Sequence, residues 1–128
     1  MTKNSYLIDR VLYGYSIGDS LEFRVSASLL INIKTGKTLR LRATMSRLLN
    51  YLLFRSKEKL IEDERIMVDV FENYGLRCSK QRLWQSIRAL KNVMMRLGYN
   101  NQLILRVNNA GFTLSDVRVD MLIISTTK

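Results

Sequence analysis

Apolar and polar positions alternate along the early part of the chain. Ser20–Val25 (SLEFRV) switches with period two, Ser28–Ile33 (SLLINI) follows, and Thr38–Arg42 (TLRLR) alternates again. That period sends successive side chains to opposite faces of a strand. Leu39 and Leu41 therefore share one face and Arg40 and Arg42 the other, as in an antiparallel sheet with one wet side. Lys34–Lys37 supplies a turn in which Gly36 can take a positive φ. Residues 5–43 as a whole read as sheet. The period then changes. Met45, Leu48, Leu49, Leu52 and Leu53 recur at helical spacing and predict a helix over 45–56, with Thr44 as its N-cap. A second helix is predicted over 62–73, with Ile66, Val70 and Phe71 inward, Glu62, Asp63 and Glu64 at its positive end, and Gly75 as its stop. A third is predicted over 79–97, capped by Ser79 and stopped by Gly98. Its apolar stripe is Leu83, Ile87, Leu90, Met94 and Leu97, and the run Val93, Met94, Met95 reads as core. A hairpin is predicted over 102–114, two strands around Asn108-Asn109-Ala110-Gly111. The tail, 115–128, alternates Val117, Val119, Met121 and Ile123 and reads as an edge strand that finishes the sheet; pairing with a second copy is the alternative. The fold class is α+β, one domain over residues 1–128 with an N-terminal antiparallel sheet, three helices and a C-terminal β-hairpin.

Charge changes the picture. The chain carries 21 Lys and Arg against 11 Asp and Glu, a net charge of +10. That excess points to a polyanionic partner, nucleic acid before an acidic membrane surface. The charge is also uneven. Residues 23–57 hold eight basic side chains and no acid, and residues 73–115 hold seven and no acid. Between them, residues 58–72 hold six acids (Glu58, Glu62, Asp63, Glu64, Asp69, Glu72) against Lys59 and Arg65. Two basic segments flanking an acidic one fit a DNA-facing surface with the acidic helix turned partly away.

Candidate chemistry is narrow. There is no His, and Cys78 is the one cysteine. The sequence therefore offers no intrachain disulfide, no metal-ligand spacing and no His-based nucleophilic pair. No catalytic residue, metal or cofactor is expected, and an enzyme is the weakest reading. Cys78 reads as a small apolar group packed at the start of the third helix. No apolar run is long enough to cross a bilayer, and MTKNSYLIDR lacks a signal core, so the expected location is the cytoplasm.

The third helix carries the most specific signal. At about 3.6 residues per turn, Gln81, Gln85, Arg88 and Asn92 lie opposite its apolar stripe. Gln, Asn and Arg can form paired hydrogen bonds with purine edges in the major groove, so these four are the candidate base readers. Lys80, Arg82 and Lys91 beside them, with Thr44 and Arg47 at the start of the first helix, are candidate phosphate contacts. Arg106, Asn108 and Asn109 sit on or near the hairpin tip, within reach of phosphate or the minor groove. Trp84 flanks the stripe and reads as core, with contact to a thymine methyl as the alternative. Among the strands SLEFRV, SLLINI and TLRLR only Phe23 is a candidate for stacking bases, which speaks against open-sheet RNA binding. The arrangement is that of a winged helix-turn-helix: helix 79–97 for the major groove, and 106–112 as a wing on the minor groove and phosphates.

Four pieces in order carry a family resemblance: KTGKTLRLRATMSRLLNYLL, LIEDERIMVDVF with its aromatic at Phe71, CSKQRLWQSIRALKNVM, and ILRVNNAGFTL with Gly111-Phe112. From about Leu7 to Leu114 the chain resembles the OmpR/PhoB-type winged-helix DNA-binding domain, within it the ToxR/CadC-like branch of bacterial transcriptional regulators. The resemblance implies sequence-specific binding of double-stranded DNA, with Gln81, Gln85 and Arg88 in the half of the helix that enters the groove. It also implies that the loop of Asn73, Tyr74, Leu76 and Arg77 lies where such regulators can meet RNA polymerase, and it admits a homodimer on DNA. The sequence departs from the family pattern at Trp84, at Ala89 and at a wing tip with Gly111 alone, so no base preference is carried over. Neither a receiver domain nor a membrane tether is encoded in these residues. The competing reading is a winged-helix protein-interaction module that binds another regulator or RNA polymerase without reading DNA.

Overall fold

Four strands open the fold: β1 (Ile8–Ile17), β2 (Leu21–Arg24), β3 (Leu29–Asn32) and β4 (Thr38–Arg40). The computed structural model describes residues 8–127, so the sheet positions expected at 5–7 and the last tail residue lie outside the described residues. After β4 come α1 (Ala43–Phe54), a two-residue strand β5 (Ile61–Glu62), α2 (Asp63–Ile66) and α3 (Lys80–Arg96). The chain closes with β6 (Ile104–Val107), β7 (Gly111–Leu114) and β8 (Val119–Thr127). A five-stranded sheet runs β4-β3-β2-β1-β8 and a three-stranded one β5-β7-β6, every described pair antiparallel. The tail thus finishes the sheet: β8 lies along β1 from Ile17↔Val119 to Ile8↔Thr127, with a bulge between Leu12 and Gly14. Gly14 is required there, because a Cβ would fall 2.1 Å from the Phe23 carbonyl oxygen.

The core lies between the sheet and the helices. Tyr15, Ile17, Leu21, Phe23 and Leu30 face Leu48, Leu49, Leu52 and Leu53 of α1 and the α3 stripe of Leu83, Ile87, Leu90, Met94 and Leu97, all buried. Burying such side chains is the main favourable term in folding. Full burial of Phe23 removes it as a stacking platform.

Three expectations change. Thr44 does not cap α1: the chain runs extended through Arg42, which is the N-cap and offers no side-chain hydrogen bond. The helix therefore starts before Thr44, whose hydroxyl instead accepts from Arg47 Nη2 at 3.3 Å. The second helix is not one α-helix over 62–73. After one α-turn it widens into a π-helical turn, Met67–Phe71, then tightens into a 3-10 turn, Glu72–Tyr74, and ends at Gly75 with φ of 77°. Its apolar positions come as adjacent pairs, Ile66–Met67 and Val70–Phe71, and the wide turn lets all four reach the core. Met95 is exposed, since it lies off the α3 stripe that buries Val93 and Met94.

A buried side chain links the sheet to α3. Asn32 Nδ2 donates to the Leu97 carbonyl at 2.7 Å, while its Oδ1 accepts from the Lys34 and Thr35 amides at 3.0 and 3.2 Å. Lys37 Nζ donates to the Arg96 carbonyl at 3.2 Å. The β3–β4 turn therefore satisfies carbonyls at the C-terminal end of α3 and fixes its angle to the sheet.

Candidate nucleic-acid interface

Ser79 starts α3 as expected: its Oγ accepts from the Arg82 amide at 3.1 Å. With the apolar stripe buried, Gln81, Gln85, Arg88 and Asn92 form one exposed row on the opposite face. No ion pair or side-chain hydrogen bond among the described residues occupies Arg42, Arg82, Arg88 or Lys91. Two clefts flank the row. One, of about 330 Å³, lies between α3 and the start of α1 and includes Arg42, Thr44, Arg82 and Gln85. The first turn of α1 has neither a side-chain cap nor an acidic residue, so its positive end adds to the potential of this cleft. The other, of about 360 Å³, lies between α3 and the β6–β7 hairpin and includes Trp84, Arg88, Lys91, Asn108 and Asn109. Arg42 was not among the candidates. Its alternation with Arg40 on the wet side of the TLRLR segment was the available signal.

Two arginines expected at the surface are engaged inside the fold. Arg106 donates from Nη1 and Nη2 to both carboxylate oxygens of Asp63, at 2.6 and 2.8 Å. Asp63 is only 1% exposed. Its hydrogen bond holds the Arg106 guanidinium above its ordinary pKa range. The guanidinium also lies over the rings of Phe112 and Trp84, at 4.7 and 5.2 Å. Arg106 therefore ties the hairpin to the start of α2, and Asp63 does not simply complement a helix end in water. Asn108 and Asn109 are left at the exposed tip, with Asn108 turning the chain at φ of 48°. Arg47 donates from Nε to the Val70 carbonyl at 3.3 Å and stacks on Tyr74 at 3.9 Å, joining α1 to the turns after α2. Lys80 remains exposed, with Nζ 3.9 Å from Asp63.

Trp84 is not core. It is 50% exposed, because the wing-side arginine covers part of its ring while the stripe is filled by Leu83 and Ile87. In the loop before α3, Asn73, Tyr74 and Arg77 are exposed and Leu76 is half-buried, its amide donating to the Phe71 carbonyl at 3.0 Å. Cys78 is half-buried as well, and desolvation pushes its thiol pKa up, which disfavours the reactive thiolate. No described helix is long and apolar enough to cross a membrane.

No family model and no curated protein matches the chain. Among solved structures it is similar to the DNA-binding domain of E. coli CadC, with a TM-score of 0.72 and 18% sequence identity, over 89% of this chain and 100% of that one. At that identity the likeness shows the fold, a winged helix of mixed α+β class, in which β6 and β7 form the wing.

Proposed function

We propose that this winged helix binds double-stranded DNA sequence-specifically, as a transcriptional regulator of the bacterial cytoplasm, with α3 in the major groove and the wing on the adjacent minor groove. The observation that carries this reading is the exposed row Gln81, Gln85, Arg88 and Asn92, without a side-chain partner among the described residues and framed by Arg42, Arg82 and Lys91. The row supplies paired donors and acceptors for base edges, and the frame supplies charge for phosphates on either side. Asn108 and Asn109 reach the backbone from the wing tip. The CadC domain is named for DNA binding, which supports the same reading. A module that only binds proteins has less need of a helix face on which Arg82, Arg88 and Lys91 have no ion-pair partner among the described residues.

A target duplex selected from a random pool, followed by band-shift titration, tests the proposal. Arg88→Ala is expected to weaken the selected site by about 1–3 kcal/mol and to relax preference at one position. An equal loss on random duplex removes Arg88 from the base readers. Calorimetry that detects no DNA binding by the unaltered protein at low salt decides for the interaction module.

A further inference from the structure

We propose that Trp84 is itself a DNA contact, packing its exposed ring on an apolar surface of the duplex, a thymine 5-methyl group or a deoxyribose, beside the base read by Arg88. This rests on the DNA-binding reading above and adds a shape-reading element to it.

An indole that is 50% exposed leaves a large apolar surface in water. This one is nonetheless held in place. Arg106 lies over the ring at 5.2 Å, and Arg106 is itself fixed by both oxygens of Asp63 and by Phe112 at 4.7 Å. With its charge committed to Asp63, Arg106 acts as a positioning residue: it holds the ring and does not compete for phosphate. The order already present in the free protein lowers the entropy lost on binding.

The placement selects the ligand. Trp84 precedes Arg88 by about one helical turn and lies roughly 60° around α3 from Gln81, on the wing side. It forms a wall of the cleft between α3 and the wing, with Arg88, Lys91 and Asn109 around it. A helix that points Gln81, Gln85 and Arg88 at the groove floor turns this position toward the groove wall. The apolar groups available there are thymine methyls and backbone sugars. The neighbouring cations favour the same polyanion.

The chain has one tryptophan and six tyrosines, so emission excited at the red edge, where tyrosine does not absorb, reports Trp84 alone. The unaltered protein is titrated with its selected duplex while the anisotropy of a labelled strand follows binding in parallel. The expected result is a quenched or blue-shifted emission with the same midpoint as the anisotropy. Trp84→Ala is expected to weaken binding about tenfold, as for loss of a buried aromatic contact, and Trp84→Phe to restore most of it, with circular dichroism confirming that both variants fold. Replacing each thymine in turn by deoxyuridine then separates the sources. One position that weakens the unaltered protein about fourfold, the value of a single methyl group, and leaves Trp84→Ala unmoved assigns the methyl. A ring that responds with no such position assigns the deoxyribose. Emission that stays constant while anisotropy reports binding overturns the inference and leaves DNA binding standing, as does undiminished affinity in Trp84→Ala. No binding by the unaltered protein at low salt removes both.

Discussion

Asp63 is a carboxylate taken almost wholly out of water. Desolvation of such a group is expensive unless hydrogen bonds and an opposite charge offset it. Arg106 supplies both, at 2.6 and 2.8 Å, and Lys80 adds a weaker attraction from 3.9 Å. The two partners are not equivalent, because the Arg106 side chain is 28% exposed and that of Asp63 only 2%. Arg106→Ala strands a buried carboxylate and is expected to cost about 3 kcal/mol of stability or more. Asp63→Asn keeps the shape and an acceptor while the arginine rehydrates, and is expected to cost less, about 1.5–3 kcal/mol, the value of a hydrogen bond to a charged group. Urea denaturation followed by circular dichroism compares them, and equal losses would show that the arginine charge is as desolvated as the carboxylate. The sequence does not distinguish Asp63 from Glu62 and Glu64, since all three suit the positive end of a helix. What singles out Asp63 is a contact distant in sequence: its amide donates to the Ala110 carbonyl at 3.0 Å, which sets it beneath the wing.

The wing depends on a third strand. β5 is only two residues long, and it joins β7 through the pairs Ile61↔Phe112 and Glu62↔Gly111. The approach is close enough that a Cβ at Gly111 would fall 2.2 Å from the Ile61 carbonyl oxygen. Gly111→Ala must therefore push β5 from β7, and overpacking of this kind is expected to destabilise by about 1–3 kcal/mol. Hydrogen exchange at the Asp63 amide reads the change directly: protection should fall in the variant, and retained protection would mean that the strain is relieved elsewhere. Legibility follows from element length. α1 and α3, each several turns with a continuous apolar stripe, fall within about two residues of their expected bounds. β5 is too short to show alternation, and the π-turn after α2 answers packing that no local period encodes. The exposed row on α3 was legible for the same reason as the helix, because burying one stripe dictates the opposite face. The engagement of Arg47 and Arg106, and the exposure of Trp84, were not, because each depends on a partner from another element.

At the scale of the whole molecule, charge is sorted by what it already touches. Several acids are engaged locally: Asp63 is paired with Arg106 and Glu58 with Arg55 at 2.9 Å, while Asp69 accepts a hydrogen bond from the Tyr51 hydroxyl at 2.7 Å. Arg42, Arg82 and Lys91 have no such partner among the described residues and border the clefts on either side of the α3 row. If these three each neutralise a phosphate, the plot of log affinity against log salt should fall with a slope of about −3 or steeper, near 0.9 per contact. Arg82→Ala should then lose affinity by the same factor on selected and random duplexes and make the slope shallower by about 1. That pattern differs from Arg88→Ala, whose loss should be confined to the selected site. Lys57 provides the control. It lines a cleft with Met121 beyond the C-terminal end of α1, and the whole length of that helix, about 18 Å, separates it from the cleft at Arg42. That distance exceeds the Debye length of about 8 Å at physiological ionic strength, so Lys57→Ala should leave the slope unchanged there. If the two substitutions flatten it equally, attraction comes from the net charge of +10 as a whole, and the cationic frame around α3 has no special part in binding.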